Sequence, residues 1–245
     1  MTRLYFPGDI ADHGECHVTG GQAHHVLHVL RLEAGAPLTL FDGRGGEYAA
    51  RIKRIDKSGL TLTVAGRAEV SRESPLKVLL AQGVSSGERM DYTVQKCVEL
   101  GVTSIQPLIT QRSVVRLAGE RADKRVAHWQ TVAAAACEQC GRNVLPDILP
   151  VQPLMKWLGT QASVNHHDGA AYLLSPQGGK RLRDLPRPAG TVSLLVGPEG
   201  GWNPDETAAV LGAGFEALTL GPRVLRTETA AAAALAAMQA VWGDF

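Results

Sequence analysis

Residues 191–212 read "TVSLLVGPEGGWNPDETAAVLG". Thr191–Val196 is a short, mostly apolar run of strand length. Gly197-Pro198-Glu199-Gly200-Gly201 breaks it. Asn203 then offers an N-cap, Pro204 suits the first helical position, and Asp205 and Glu206 place acids in the first turn. A strand, a glycine- and proline-rich loop and a capped helix form the repeating unit of a parallel α/β sheet. The pattern recurs outward. "LKVLLAQ" (76–82), "TSIQPLIT" (103–110), "AAYLLSP" (170–176) and "FEALTL" (215–220) read as further strands. "GERMDYTVQKCVELG" (87–101), a stretch from Arg121 to Gly141, and the alanine-rich segment after Gly221 read as helices.

The first seventy or so residues follow a different rule. "PLTLFDGRGGEYAARIKRI" (37–55) alternates, breaks at Asp42-Gly43 and resumes, as a hairpin does. "GLTLTV" (59–64) adds a strand, and "GGQAHHVLHVLRL" (20–32) is one helix-like stretch among them. The polar "EVSRESP" (69–75) marks the boundary, giving domains 1–72 and 73–245.

Composition narrows the class. The chain has 245 residues, 44% hydrophobic and 20% charged, with four cysteines and net charge +1. No global field attracts nucleic acid, so binding must come from local patches. Arg112, Arg116, Arg121, Lys124 and Arg125 form one, and Lys180, Arg181, Arg183 and Arg187 another. The longest nonpolar run, Ala230–Ala237, is too short to span a bilayer. A soluble cytoplasmic protein with reduced thiols and no membrane contact is expected.

Ligands of open α/β sheets sit beyond the carboxyl ends of the strands. Three such ends carry unusual loops: Leu174-Ser175-Pro176, Gly197–Gly201, and Leu220-Gly221-Pro222-Arg223-Val224-Leu225-Arg226. Glycine lets the backbone approach a ligand and proline fixes its shape. Neither a G-x-G-x-x-G after a strand nor a phosphate-binding G-x-x-x-x-G-K-[ST] is present. Arg223 and Arg226 precede a helix N-terminus, where the dipole disfavours cations, so their placement suggests an anionic partner. Glu228 is a favourable neighbour there and offers the plainer reading that it simply neutralises them.

"LLVGPEGGWNPDE" (194–206) followed by "LGPRVLRTETA" (220–230) resembles the 16S ribosomal RNA uracil-N3 methyltransferase family of the SPOUT superfamily. "GERMDYTVQKCVELGVTSIQPL" (87–108), "AACEQCGRN" (135–143) and "AHHVLHVLRL…LFDG" (23–43) match it in the same order. The resemblance implies an N-terminal PUA-like β-barrel module and a C-terminal SPOUT α/β domain with a parallel sheet and a deep trefoil knot. It implies a homodimer that uses S-adenosylmethionine, without metal, to methylate N3 of uridine 1498 in 16S rRNA within the 30S subunit. Cofactor contacts then fall to Leu174, Val196, Gly197, Pro198, Glu199, Gly200, Leu220, Gly221, Arg223, Leu225 and Thr229. The reaction must align N3 with the methyl group, stabilise negative charge on the ring, and remove a proton. Arg226 is the candidate for the charge, with Arg142 second. Glu138, Glu228 or water could take the proton. Arg3, His24, His25, Arg31 and Arg112 are candidate RNA contacts, and five of the eight histidines lie before residue 30. Two departures from the family pattern stand out: Ser175, where histidine is common, and Ser86, where a base is.

Rival readings remain. Gly83-Val84-Ser85-Ser86-Gly87 is a literal G-x-S-x-G between a strand and a helix, but only His128, His166 and His167 follow it. Cys137-x-x-Cys140 lacks a second pair and reads as structural. His24 and His28 lack the glutamate of a zinc helix. A catalytically silent RNA-binding protein would keep the fold and lose the chemistry.

Overall fold

The computed structural model describes residues 2–161 and 169–245. His166 and His167 lie outside them. Two compact units are present, one of Met1–Glu73 with Ala134–Leu145, the other of Ser74–Ala133 with Pro146–Phe245.

The first unit is a five-stranded sheet of β1 (Arg3–Tyr5), β2 (Gly14–Val18), β3 (Pro37–Phe41), β4 (Glu47–Asp56) and β5 (Gly59–Ala68), in the order β1-β3-β4-β5-β2. Neighbours are antiparallel except β1 and β3. Tyr48, Ala50 and Ile52 of β4 are buried while Ala49, Arg51 and Lys53 between them are exposed. That alternation buries one face of the sheet, with Leu38, Leu40, Leu60 and Leu62 in the core. The helix expected over residues 20–32 is shorter. α1 (Gly20–His24) passes into a π-helical turn, His25–Val29, and Arg31 adopts a positive φ of 53° that no helix continues through. Ala23 and Val26 face the core.

Residues 134–145 join this unit, although the sequence placed them in the second. Arg142, whose side chain is 6% exposed, pairs with Glu73 at 2.6 Å. Asn143 donates to the Val70 carbonyl at 2.7 Å. An almost buried charge without its partner is expensive, so these bonds fix where the segment belongs.

The second unit is a wholly parallel sheet. Its strands are β6 (Val78–Gly83), β7 (Ser104–Ile109), β8 (Asp147–Ile148), β9 (Gln152–Pro153), β10 (Ala170–Leu174), β11 (Lys180–Arg181), β12 (Val192–Val196) and β13 (Glu216–Thr219). The order is β11-β13-β10-β12-β6-β7-β8, with β9 also on β7. Every residue of β12 is buried, as a central parallel strand requires. The helices are α2 (Glu88–Glu99), α3 (Glu120–Cys140, of which residues 120–133 belong to this unit), α4 (Leu154–Gln161), α5 (Pro204–Gly212) and α6 (Thr227–Trp242). α5 has the expected cap: Asn203 accepts from the Asp205 N–H at 3.0 Å, and Glu206 reaches back to the Asn203 N–H at 3.1 Å. α6 buries Ala231, Ala234, Leu235, Met238 and Trp242 and packs on α2. Trp157 of α4, Phe215 and Val210 of α5 fill another core against Leu173 and Leu195.

Candidate active site

Strand register gathers the three loops. Leu173 lies opposite Leu195, and Leu174 opposite Leu218. The carboxyl ends of β10, β12 and β13 are therefore level. The segments that leave them enclose a cavity of about 390 Å³, a size typical of small-molecule sites. Leu174, Val196, Gly197, Pro198, Glu199, Leu220, Gly221, Arg223 and Leu225, all expected to meet a cofactor, line it. Arg226 and Glu228 do too. Gly200 and Thr229 are not among the lining residues.

Buried polar groups hold the loops in place. The Thr227 hydroxyl donates to the Gly197 carbonyl at 2.6 Å and accepts from Gln82 Nε2 at 2.9 Å. One hydroxyl thus ties the end of β6, the loop after β12 and the start of α6. The neighbouring Gly83 leaves no room for a side chain, since a Cβ there would lie 2.6 Å from Pro198 N and Cδ. Arg112, expected to contact RNA, donates to the Gly200 carbonyl at 3.2 Å and so braces the same loop. Glu199 is clamped as well. Its Oε1 accepts from the Ser86 N–H at 2.7 Å, the Ser86 hydroxyl at 2.8 Å and Arg89 at 3.1 Å. Burial pushes the Glu199 carboxyl up, but these hydrogen bonds outweigh it and hold the group below the usual carboxylate range. Glu199 is therefore an anion at neutral pH.

Three buried polar atoms at this cavity have no hydrogen-bond partner among the described residues: Glu199 Oε2, Glu228 Oε2 and Trp202 Nε1. Each such orphan costs about 1–3 kcal/mol unless something bonds it. Two carboxylate oxygens call for donors and one indole N–H for an acceptor. Leu174, Val196, Leu220 and Leu225 supply an apolar body between them. The cavity is built for a ligand with an apolar core and both kinds of polar group. Arg223 and Arg226 are exposed at its rim, and neither side chain has an ion-pair or hydrogen-bond partner among the described residues. Arg226 is itself the N-cap residue of α6, with no capping bond from its side chain. The plainer reading, neutralisation by Glu228, finds no such contact.

Other expected residues are engaged elsewhere. Arg142 is committed to Glu73. Glu138 accepts from the Tyr5 N–H at 2.8 Å, and burial raises its pKa despite that bond. Neither lines the cavity. Arg3, a candidate RNA contact, is 12% exposed in its side chain and pairs with Glu47 at 2.7 Å. Phosphate would have to displace that carboxylate. His24, His25, His28 and Arg31 are exposed in the first unit, with the His24 and His28 rings 4.6 Å apart. Ser85 is 2% exposed, unlike a nucleophile on a sharp turn, and His128 is bonded to Asp91 at 2.8 Å. Cys137 is buried and Cys140 half-buried, both as free thiols. The sequence reading passed over Gln82, Arg89, Trp202 and Thr227. Only Gln82 carried a signal, a polar side chain ending an otherwise apolar strand.

Comparison with known proteins decides the family. An RNA methyltransferase domain family matches residues 72–239, and an RNA methyltransferase PUA domain family matches residues 18–65. A relative from Mycobacterium tuberculosis named Ribosomal RNA small subunit methyltransferase E is 32% identical over 244 residues, 97% of this chain and 91% of that one. The chain belongs to the ribosomal RNA small subunit methyltransferase E family. Its relative from Bacillus subtilis is 30% identical over 226 residues, 90% of this chain and 88% of that one. A crystal structure of the Neisseria gonorrhoeae family member bound to S-adenosyl methionine superposes with a TM-score of 0.91 at 41% identity, covering 100% of this chain and 99% of that one. A putative methyltransferase from Legionella pneumophila, in complex with the same cofactor, gives 0.93 at 41% identity, with coverage of 100% and 99%. Family membership accounts for the two units and the parallel sheet. The serine-hydrolase reading falls with it.

Proposed function

We propose that this chain transfers a methyl group from S-adenosylmethionine to N3 of uridine 1498 in 16S rRNA, acting as a homodimer on the small ribosomal subunit in the cytoplasm. The three partnerless polar atoms around the cavity at the carboxyl ends of β10, β12 and β13 carry this reading. S-adenosylmethionine fits two of them. Its amino, hydroxyl and adenine N–H groups offer donors to Glu199, its ring nitrogens and carboxylate offer acceptors to Trp202, and its adenine suits the leucine-rich wall, which leaves Glu228 to the substrate. When bound, it supplies the methyl group and a neutral thioether leaving group.

The chain's own residues do the rest. The Gly197 and Leu220–Leu225 segments fix the donor's orientation, the effect worth most in such reactions at up to about 7–11 kcal/mol. Uracil N3 carries a proton at neutral pH and must lose it. Arg226 holds the negative charge that develops on the ring. A cation beside an ionising acid lowers its pKa by about 1–3 units, roughly 1.4 kcal/mol each. Glu228 lines the cavity with one oxygen free of partners and takes the proton at that atom. Glu138, already bonded to the Tyr5 N–H, is not needed. The exposed histidines and Arg31 of the first unit add phosphate contacts. The test is tritiated methyl transfer to 30S particles followed by mapping of the modified nucleotide. Label at N3 of one uridine is expected; label at carbon 5 or a ribose oxygen overturns the assignment.

A further inference from the structure

A second cavity, of about 520 Å³, lies in the second unit against the starts of α2 and α3. Ser85, Arg121, Lys124, Arg125 and His128 line it above the buried Trp129. The acid facing this group, Asp91, is already spent: it accepts from His128 at 2.8 Å, Trp129 Nε1 at 3.1 Å and Arg125 at 3.4 Å. Arg121 has no hydrogen-bond or ion-pair partner among the described residues. Lys124 has only Glu120 at 3.8 Å, in a pair whose side chains are 80% and 89% exposed, a contact worth little in water. The lining itself carries Arg121, Lys124 and Arg125 and no carboxylate, while Glu88, Glu120 and Asp123 of the same two helix starts lie outside it.

A separate observation points to a ligand. Ser85 lines the cavity, is 2% exposed, and its hydroxyl has no partner among the described residues. A hydroxyl seldom stays buried and unbonded unless a ligand or water completes it. Beside it Gly87 opens α2 without any capping side chain, and of the first-turn N–H groups Arg89 donates to the Ser86 carbonyl at 3.3 Å while Glu88 has no such partner among the described residues. Guanidinium, ammonium, hydroxyl and helix-start N–H groups together form an anion site suited to phosphate.

We propose that this second cavity holds a backbone phosphate of the substrate RNA, flanking the nucleotide presented to the first cavity. The inference rests on the RNA-methylation reading above. The Ser85–Gly87 turn makes the two sites neighbours: Ser85 and Gly87 line one cavity, while Ser86 between them clamps Glu199 in the wall of the other. A strand with one nucleotide at the methylation site carries a charged phosphate on either side of it. Arg121 and Lys124 supply positive charge in the lining of the second cavity.

The test is a double variant, Arg121→Gln with Lys124→Gln, set beside a charge-matched control, Lys77→Gln with Lys156→Gln. All four side chains are exposed. Binding of 30S particles is measured by filter retention over a salt series, and S-adenosylmethionine binding by calorimetry. Each lost phosphate contact lowers the slope of log affinity against log salt by about 1. The first double variant is expected to lose roughly tenfold in RNA affinity and about one unit of slope, with cofactor affinity unchanged and the control like wild type. Wild-type methylation with both double variants alike overturns the second site alone. Wild-type protein that neither binds nor methylates the particle overturns the underlying reading as well.

Discussion

Replacing Thr227 with valine keeps the side-chain shape and deletes one oxygen. That oxygen donates to the Gly197 carbonyl at 2.6 Å and accepts from Gln82 Nε2 at 2.9 Å. Thr227 is 7% exposed and Gln82 fully buried, so water cannot replace the lost bonds. Gln82 Nε2 keeps the Gly83 carbonyl at 2.9 Å. The Gly197 carbonyl keeps only its long contact from Gln82 at 3.4 Å. One near-orphaned buried carbonyl and one lost acceptor cost about 1–3 kcal/mol. In a chain of this size each kcal/mol moves Tm by about 2–4 °C, so a fall of about 2–12 °C is expected. The same bonds hold the loop that walls the first cavity. The ligand then has to order that loop itself, and S-adenosylmethionine affinity falls by up to about tenfold, equivalent to ~1.4 kcal/mol. Urea denaturation and calorimetry measure the two effects. Thr227→Ser, which restores the hydroxyl, should recover most of both. Thr227→Val with stability within about 0.5 kcal/mol of wild type and unchanged cofactor affinity would refute the idea that this hydroxyl ties the loops together.

Arg226→Ala should leave cofactor affinity within a few-fold and lower methyl transfer by about 10- to 1000-fold, the span of a pKa shift of about 1–3 units. Turnover within a few-fold on a folded protein removes Arg226 from the chemistry. Gly83→Ala should lower the urea midpoint by the equivalent of about 1–3 kcal/mol, because its Cβ would overlap Pro198 at 2.6 Å; an unchanged midpoint contradicts that close approach. Burial pushes the Cys97 and Cys137 thiols up to about 12 from 9.0. Both should resist alkylation in the native chain at pH 8 and react once it unfolds; rapid native labelling of either is the opposing result. The sign of the pH effect follows. The folded state holds these protons more tightly, so their contribution is complete below about pH 9 and declines as pH rises towards 12. Alkaline melts should show that decline, and it should shrink in a Cys97→Ala, Cys137→Ala chain.

Local sequence determined the elements because their signals are short-range. The apolar run Val192–Val196 is strand length, and Asn203-Pro204-Asp205-Glu206 specifies a helix start whatever surrounds it. The three glycine- and proline-rich loops were visible for the same reason, and since ligands gather at strand carboxyl ends, so was the region of the first cavity. The family motifs added the chemistry. Other features depended on groups far apart in the chain. Nothing near Arg142 announces Glu73, 69 residues away, yet that pair helps assign residues 134–145 to the first unit and engages the Arg142 side chain there. Nothing near Arg3 announces Glu47 either, which the sheet brings to it at 2.7 Å. The clamp of Ser86 and Arg89 on Glu199, the Thr227 tie and the unbonded oxygens facing the cavity arise only when the ends of non-adjacent strands are level. Periodicity and capping are written in neighbouring residues, but the partner of a buried charge or hydroxyl is chosen by strand order and register, which no local stretch contains.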